Sequence, residues 1–428
     1  MKSKFIKSTV ILVMGGAITK LMAMIIKIFL TRIIGDKGIS LYMLIMPTFN
    51  LFITLATLSL SSAISKLISE HNKSKTVIFS IIPFILLYNL FLMIGLIILA
   101  PVISKYLLKN TDTYYPIMAI AFTLPFISLS GILKGYFFGK EKMLPFVIAN
   151  NLEQVVRLGF IIFIIPKFIY YGIIKTVSLV VLINIFSEFS SIICLLLFIP
   201  NKKISLNDFR VDKNIFKDIL NISLSVTGSR LIGAISYFLE PIILIFIMLK
   251  FGYDKVFITH EYGIIMGYVF PLLLMPSFFT MAISTALLPV IANNYKLKNI
   301  LYVKQKLNQG VIISFIIGLL FTVIIIIFPG ILLKFIYNTS LGINYIVILA
   351  PFFLIYYIQG PLTTYLQAVN MAGMAMMGTL VGAIVKITLI ILLCPFMGIW
   401  GFIVATISNI FYVTLQHIFY VRRSFILK

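Results

Sequence analysis

The sequence predicts an all-α polytopic membrane protein with about twelve transmembrane helices in two six-helix bundles. Three observations predict it. Hydrophobic residues make up 61% of the 428 positions and charged residues only 11%, against roughly a quarter charged in a soluble domain. The apolar residues fall into long uninterrupted runs. Short sequence features recur in the same order on either side of one central polar stretch.

A bilayer core takes about 20 apolar residues per helix. Twelve runs meet that length: 8–34, 40–65, 77–102, 114–134, 146–166, 174–200, 216–249, 262–292, 309–332, 344–369, 371–394 and 398–420. The first run is too long for a signal peptide and carries Lys20 and Lys27, so it reads as a span. The seventh contains Pro241, which predicts a bend there. The longest polar stretch, 201–213 (NKKISLNDFRVDK), follows the sixth run. It divides the chain into a bundle over 1–200, a linker over 201–213 and a bundle over 214–428.

The net charge is +23. On a soluble chain that would suggest nucleic acid. Here the basic residues lie mostly between apolar runs, so no nucleic-acid partner is expected. Most of the 35 Lys and Arg fall on the N-terminus, the even-to-odd loops and the C-terminus. The positive-inside rule places those segments, and both termini, in the cytoplasm of a cell-membrane protein. Cys194 and Cys394 lie inside apolar runs, and the three histidines (His71, His260, His417) stand at run ends. No metal cluster, Walker loop or nucleophile elbow can be read. The expectation is a transporter and not an enzyme, without a cofactor.

Thr19-Lys20-Leu21 in the first run matches Ser229-Arg230-Leu231 in the seventh, and Ala63-Ile64-Ser65 matches Ala282-Ile283-Ser284. The fourth and fifth runs align with the tenth and eleventh without a gap. That alignment pairs Ala121 with Ala350, Gly131 with Gly360, Leu133 with Leu362, Tyr136 with Tyr365, and Arg157 with Lys386. Duplication of an even number of spans predicts halves related by a pseudo-two-fold along the membrane normal, with a cavity between them.

An ionisable group at mid-bilayer costs about 2.5–3.5 kcal/mol on insertion scales, so it normally faces a bundle interior or a wet cavity. The candidates are Lys20, Lys27, Glu153, Arg157, Glu188, Arg230, Glu240 and Lys386. Lys20 and Lys27 are seven apart and share a helix face; they read as a basic cavity wall or, for Lys27, as a snorkelling end. Arg230 is the repeat partner of Lys20, and its planar fork suits an oxyanion. Glu153 and Arg157 stand at i, i+4 with Glu first, the order of a structural helix pair. Lys386 has Gly382 in place of that acid, which leaves it for substrate binding. Glu240, beside Pro241, reads as the partner of a cation, as a coupling-ion site for Na+ or H+, or as an interfacial carboxylate reaching water; Glu188 reads as a coupling-ion site or as a hydrogen-bonded helix contact.

Four segments carry a family resemblance: 229–241 (SRLIGAISYFLEP), 267–289 (GYVFPLLLMPSFFTMAISTALLP), 350–372 (APFFLIYYIQGPLTTYLQAVNMA), and 31–35 (TRIIG) followed by 61–70 (SSAISKLISE). They resemble the polysaccharide flippases of the stage V sporulation protein B type, within the multidrug/oligosaccharidyl-lipid/polysaccharide superfamily to which the lipid II flippase is related. The resemblance implies a flippase for an undecaprenyl-linked saccharide or peptidoglycan precursor, working by alternating access in spore cortex or cell-wall synthesis. The implied partners are the lipid-linked saccharide, membrane lipid and cell-wall synthesis enzymes. Lys20, Lys27, Arg230 and Lys386 would hold its headgroup, driven by membrane potential or by a coupling cation. A cation-coupled multidrug exporter of the same fold and a non-transporting scaffold are the alternatives; the first would need acids that the first span lacks.

Overall fold

The computed structural model describes residues 2–70, 74–199 and 213–426. Among these every regular element is a helix, and 12 stretches are long and apolar enough to cross a membrane. The first helix, Lys2–Thr57, has 56 residues. At about 1.5 Å per residue it would run about 84 Å, far beyond a bilayer core of about 30 Å. Gly35 divides it: φ 65° and ψ −173° form a conformation that a side chain resists. Two spans result. Conversely, the expected eighth span resolves into Lys255–Leu274 and Ser277–Lys296. Pro276 lacks an N–H and interrupts the ladder. Met275 and Pro276 keep right-handed helical dihedrals, so the chain bends there without reversing. These two segments are one long span, and the total stays at twelve.

The chain forms two compact units, Met1–Phe238 and Leu239–Lys428. They part inside the seventh span, Lys213–Lys250, and not in the stretch 201–213, which apart from Lys213 lies outside the described residues. The expected division into 1–200 and 214–428 therefore differs from the compact units. The core of the first unit shows why: Ile219 is fully buried in one cluster with Leu58, Ile64, Ile81, Phe137 and Leu195. The start of the seventh span belongs to that core.

The second span is broken between Thr57 and Leu60, where Leu58 (φ 44°) and Ser59 (φ 51°) are both left-handed. Such residues cost roughly 1–2 kcal/mol each, and a break inside lipid also exposes carbonyls that water cannot satisfy. Side chains from three other spans take them up. Tyr88 on the third span (Ser74–Val102) donates its hydroxyl to the Leu55 carbonyl at 3.3 Å. Asn89 donates to the Ala56 carbonyl at 3.2 Å, and Ser128 on the fourth span (Tyr114–Gly139) donates to the same oxygen at 2.7 Å. Ser223 on the seventh span donates to the Leu58 carbonyl. After the break, 60–70 lies against the fourth span so closely that a Cβ on Gly135 would meet the Ser61 carbonyl oxygen at 2.7 Å and one on Gly139 the Ser65 carbonyl oxygen at 2.7 Å. Small residues four apart permit this approach.

The second unit solves the same problem at Pro276. The Tyr357 hydroxyl, on the tenth span (Ile343–Ala368), donates to the Leu273 carbonyl at 2.6 Å. In the register that pairs Gly131 with Gly360, Tyr357 stands where Ser128 stands in the first half. One position thus caps the broken span in each half.

Tyr357→Phe is expected to destabilise the protein by about 1–3 kcal/mol, the cost of stranding a buried hydrogen-bonding group. Ser128→Ala should cost less, because Asn89 remains on the Ala56 carbonyl. Thermal unfolding in detergent micelles measures both. Equal losses, or none, would show that these caps do not support the breaks.

Candidate functional site

Three spans of the first unit bring four charged side chains together. The fourth span contributes Lys134, the fifth (Met143–Phe163) contributes Glu153 and Arg157, and the sixth (Ile173–Leu197) contributes Glu188. The Lys134 ammonium lies 2.7 Å from Glu153 Oε2 and 3.4 Å from Glu188 Oε2. Arg157 Nη2 lies 2.8 Å from Glu153 Oε1 and 3.3 Å from Ser187 Oγ. Two cations and two carboxylates cancel, which is the condition for holding charges within an apolar bundle. Glu188, read from sequence as a coupling-ion candidate, shares its carboxylate with a lysine. Lys134 closes the expected fourth run at its last position, and sequence reading missed it for that reason; the structure continues the helix to Gly139.

In the second unit Lys386 also has an acid. Its ammonium lies 2.7 Å from Glu240 Oε2 and 4.7 Å from the centroid of the Phe402 ring, a cation–π contact. Lys386 has no acid one turn before it, as its sequence indicates; its carboxylate comes from the seventh span, 146 residues away. The turn before has no room for one. A Cβ on Gly382 would meet Val413 Cγ2 at 2.5 Å and Asn409 Nδ2 at 2.9 Å. Glu240, the other coupling-ion candidate, is likewise occupied by an ammonium, through one of its two oxygens.

The register that pairs Arg157 with Lys386 extends into the last spans, where Pro166 and Gly172 meet Pro395 and Gly401. It pairs Lys134 with Thr363 and Glu188 with His417. The contact itself is repeated: Thr363 Oγ1 lies 3.3 Å from His417 Nδ1. His417, expected at a run end, is buried at 2% exposure. The same junction of helices thus holds an ion pair in one unit and a neutral polar contact in the other.

Arg230 is different. It stands midway along the seventh span on an accessible face, and no ion-pair partner joins it among the described residues. With Gly233, Ala234 and the second-span residues Asn50, Ile53, Thr54 and Thr57 it lines an open cavity of about 470 Å³. Among the described residues no carboxylate lines it. Lys20 and Lys27 are not among its lining residues: Lys20 lies accessible on the first span and Lys27 half-buried. Thr19, beside Lys20, holds the first span to the fifth through Asn151 Oδ1 at 3.0 Å. Among the described residues no group of three or more His, Cys, Asp or Glu could hold a metal ion.

Residues 5–295 match the family described as polysaccharide biosynthesis protein, and residues 265–392 match the MatE family. Stage V sporulation protein B of Bacillus subtilis (strain 168) is 35% identical, over 97% of this chain and 83% of that one. The lipid II flippase MurJ in an inward closed conformation superposes with a TM-score of 0.73 at 16% identity, over 96% of this chain and 87% of that one. An inward-facing multidrug resistance transporter of the MATE family gives 0.73 at 16% identity, covering 95% and 94%. The last two likenesses establish the fold.

Removing Lys134 leaves two buried carboxylates without their shared ammonium. Lys134→Met is expected to cost about 3–5 kcal/mol, the penalty for breaking a buried pair from one side. Lys134→Met combined with Glu188→Leu should be milder than Lys134→Met alone, since Glu153 keeps Arg157. Thermal midpoints of the single and double variants measure the coupling. Additive losses would dissolve the cluster as a unit.

Proposed function

The chain belongs to the polysaccharide biosynthesis protein family, and we propose that it is a flippase. Its cargo would be an anionic undecaprenyl-linked saccharide or peptidoglycan precursor, moved outward across the cytoplasmic membrane by alternating access. The process served would be spore cortex or cell-wall synthesis, beside the enzymes that make and use that lipid. Both termini would face the cytoplasm. The observation that carries the reading is Arg230. Lys134, Arg157 and Lys386 each hold a carboxylate, while Arg230 lines a cavity without one. A guanidinium retained there, against an insertion cost of about 2.5–3.5 kcal/mol, has its use in binding an oxyanion bidentately.

Lys20 and Lys27 would extend the cationic path along the first span. Lys386 would reach a headgroup only by leaving Glu240, so its part is to hold the eleventh span to the seventh. Glu188 and Glu240 already hold ammonium groups, and a coupling Na+ or H+ would have to displace them. The drive is then the membrane potential. An anion leaving a negative interior gains about 2.3 kcal/mol per charge per 100 mV. The cavity's lack of a carboxylate argues against a cationic drug as cargo.

In vesicles containing the purified protein and a lipid-linked saccharide, Arg230→Ala should slow flipping about tenfold to a hundredfold, matching the roughly 1.5–3 kcal/mol of a charge-assisted hydrogen bond. Arg230→Lys should retain part of the rate, because it keeps charge and loses the fork. Collapsing an inside-negative potential should slow the wild type. Undiminished flipping by Arg230→Ala would end this reading, and flipping indifferent to potential would end the proposed drive.

A further inference from the structure

The second span carries no central cation, yet it forms the wall opposite Arg230. Asn50, Thr54 and Thr57 stand at i, i+4 and i+7, one above another on a single helix face, and all three line the cavity. Their hydrogen bonding is one-sided. Thr54 donates its hydroxyl proton to the Asn50 carbonyl at 2.8 Å. Thr57 donates its own to the Ile53 carbonyl at 2.9 Å. Both protons are spent inside the helix, so the two oxygens face the cavity as acceptors only. A phosphate is an acceptor too and gains nothing from them. The group that matches an acceptor is a hydroxyl or an amide N–H. Asn50 adds one acceptor and two donors on an accessible carboxamide, for which no hydrogen-bond partner is found among the described residues. Gly233 keeps the facing wall low: a Cβ there would meet nothing within 4 Å. The space of about 470 Å³ lies in the range of pockets that hold ligands much larger than a phosphate, about 300–1,000 Å³.

We propose that the Asn50–Thr54–Thr57 face reads the first sugar of the headgroup while Arg230 holds its phosphate, so the cavity selects the saccharide-bearing lipid over the bare polyprenyl carrier. The proposal rests on the flippase reading and deepens it. It makes Asn50 and Thr54 specificity-determining residues. A sugar hydroxyl or amide pairs with these acceptors and with the Asn50 carboxamide, hydrogen bonds that the bare carrier has no group to make.

Binding to the full-length protein in micelles tests it with two probes: a polyprenyl diphosphate, and the same carrier bearing one N-acetylated hexosamine. The wild type should bind the sugar-bearing lipid about tenfold more tightly, as expected from two neutral hydrogen bonds. Asn50→Ala with Thr54→Val should lose that preference to within about twofold. Thr54→Val alone, which keeps side-chain volume on an otherwise intact wall, should lose part of it. Arg230→Ala should weaken both lipids by the same factor and preserve their ratio. Equal binding of the two lipids by the wild type overturns the proposal, as does a full preference retained by the double variant. If instead Arg230→Ala leaves both affinities intact while the double variant loses the preference, the sugar readout stands and the phosphate site falls.

Discussion

The structure depends on one constraint: inside a bilayer, every backbone carbonyl and every charge must be met by the protein itself. The two broken spans show what that requires. In the second span, left-handed Leu58 and Ser59 interrupt the helix, and Tyr88, Asn89, Ser128 and Ser223 converge on the carbonyls around the break. In the eighth, Pro276 makes the interruption and Tyr357 meets the Leu273 carbonyl. Spans three, four and seven are therefore arranged around the second, and span ten around the eighth. The close approach of Gly135 and Gly139 to 60–70 fits the same arrangement, since a hydroxyl cap must come within hydrogen-bonding distance of its carbonyl.

The same constraint sorts the charges. Lys134, Glu153, Arg157 and Glu188 neutralise one another, and Lys386 is neutralised by Glu240. The repeated architecture supplies an internal control. Thr363 and His417 make at 3.3 Å the contact that Lys134 and Glu188 make at 3.4 Å, so the fold does not need ions at that junction. Once these matched groups are set aside, Arg230 and the polar face of the second span remain turned toward open space. The proposed reading gives the guanidinium to a phosphate and the neutral acceptors of the second span to a sugar.

Much of the fold was legible in the sequence because hydropathy and span length are local properties. The twelve crossings, the register of the fourth and fifth spans on the tenth and eleventh, and the Glu153–Arg157 spacing could all be read along the chain. What could not be read was non-local. Lys134 ends an apolar run and looks like a loop residue until its helix is seen to continue. The acid for Lys386 lies on another span, and Gly382 marks only that it cannot lie on the same one. His417 sits near a run end by count and deep in the bundle by packing. The compact units part within the seventh span because Ile219 packs into the first core, although the most polar stretch of the chain precedes it. Arg230 was legible as a cation within a span, at the position matching Lys20; its neighbours Asn50, Thr54 and Thr57 had no signal, since polar residues at helical spacing on one helix do not reveal what they face.

Thiol labelling at Gly233 tests most directly whether the unmatched cavity is where the lipid-linked saccharide binds. Gly233 lies in the cavity wall with free space around it, and the native Cys194 and Cys394 are buried. In vesicles, a Gly233→Cys variant lacking the native cysteines should react with a small polar thiol reagent, and saturating lipid-linked saccharide should slow that reaction at least severalfold. A labelling rate that stays constant while the protein demonstrably binds the lipid would place the substrate elsewhere and contradict the account.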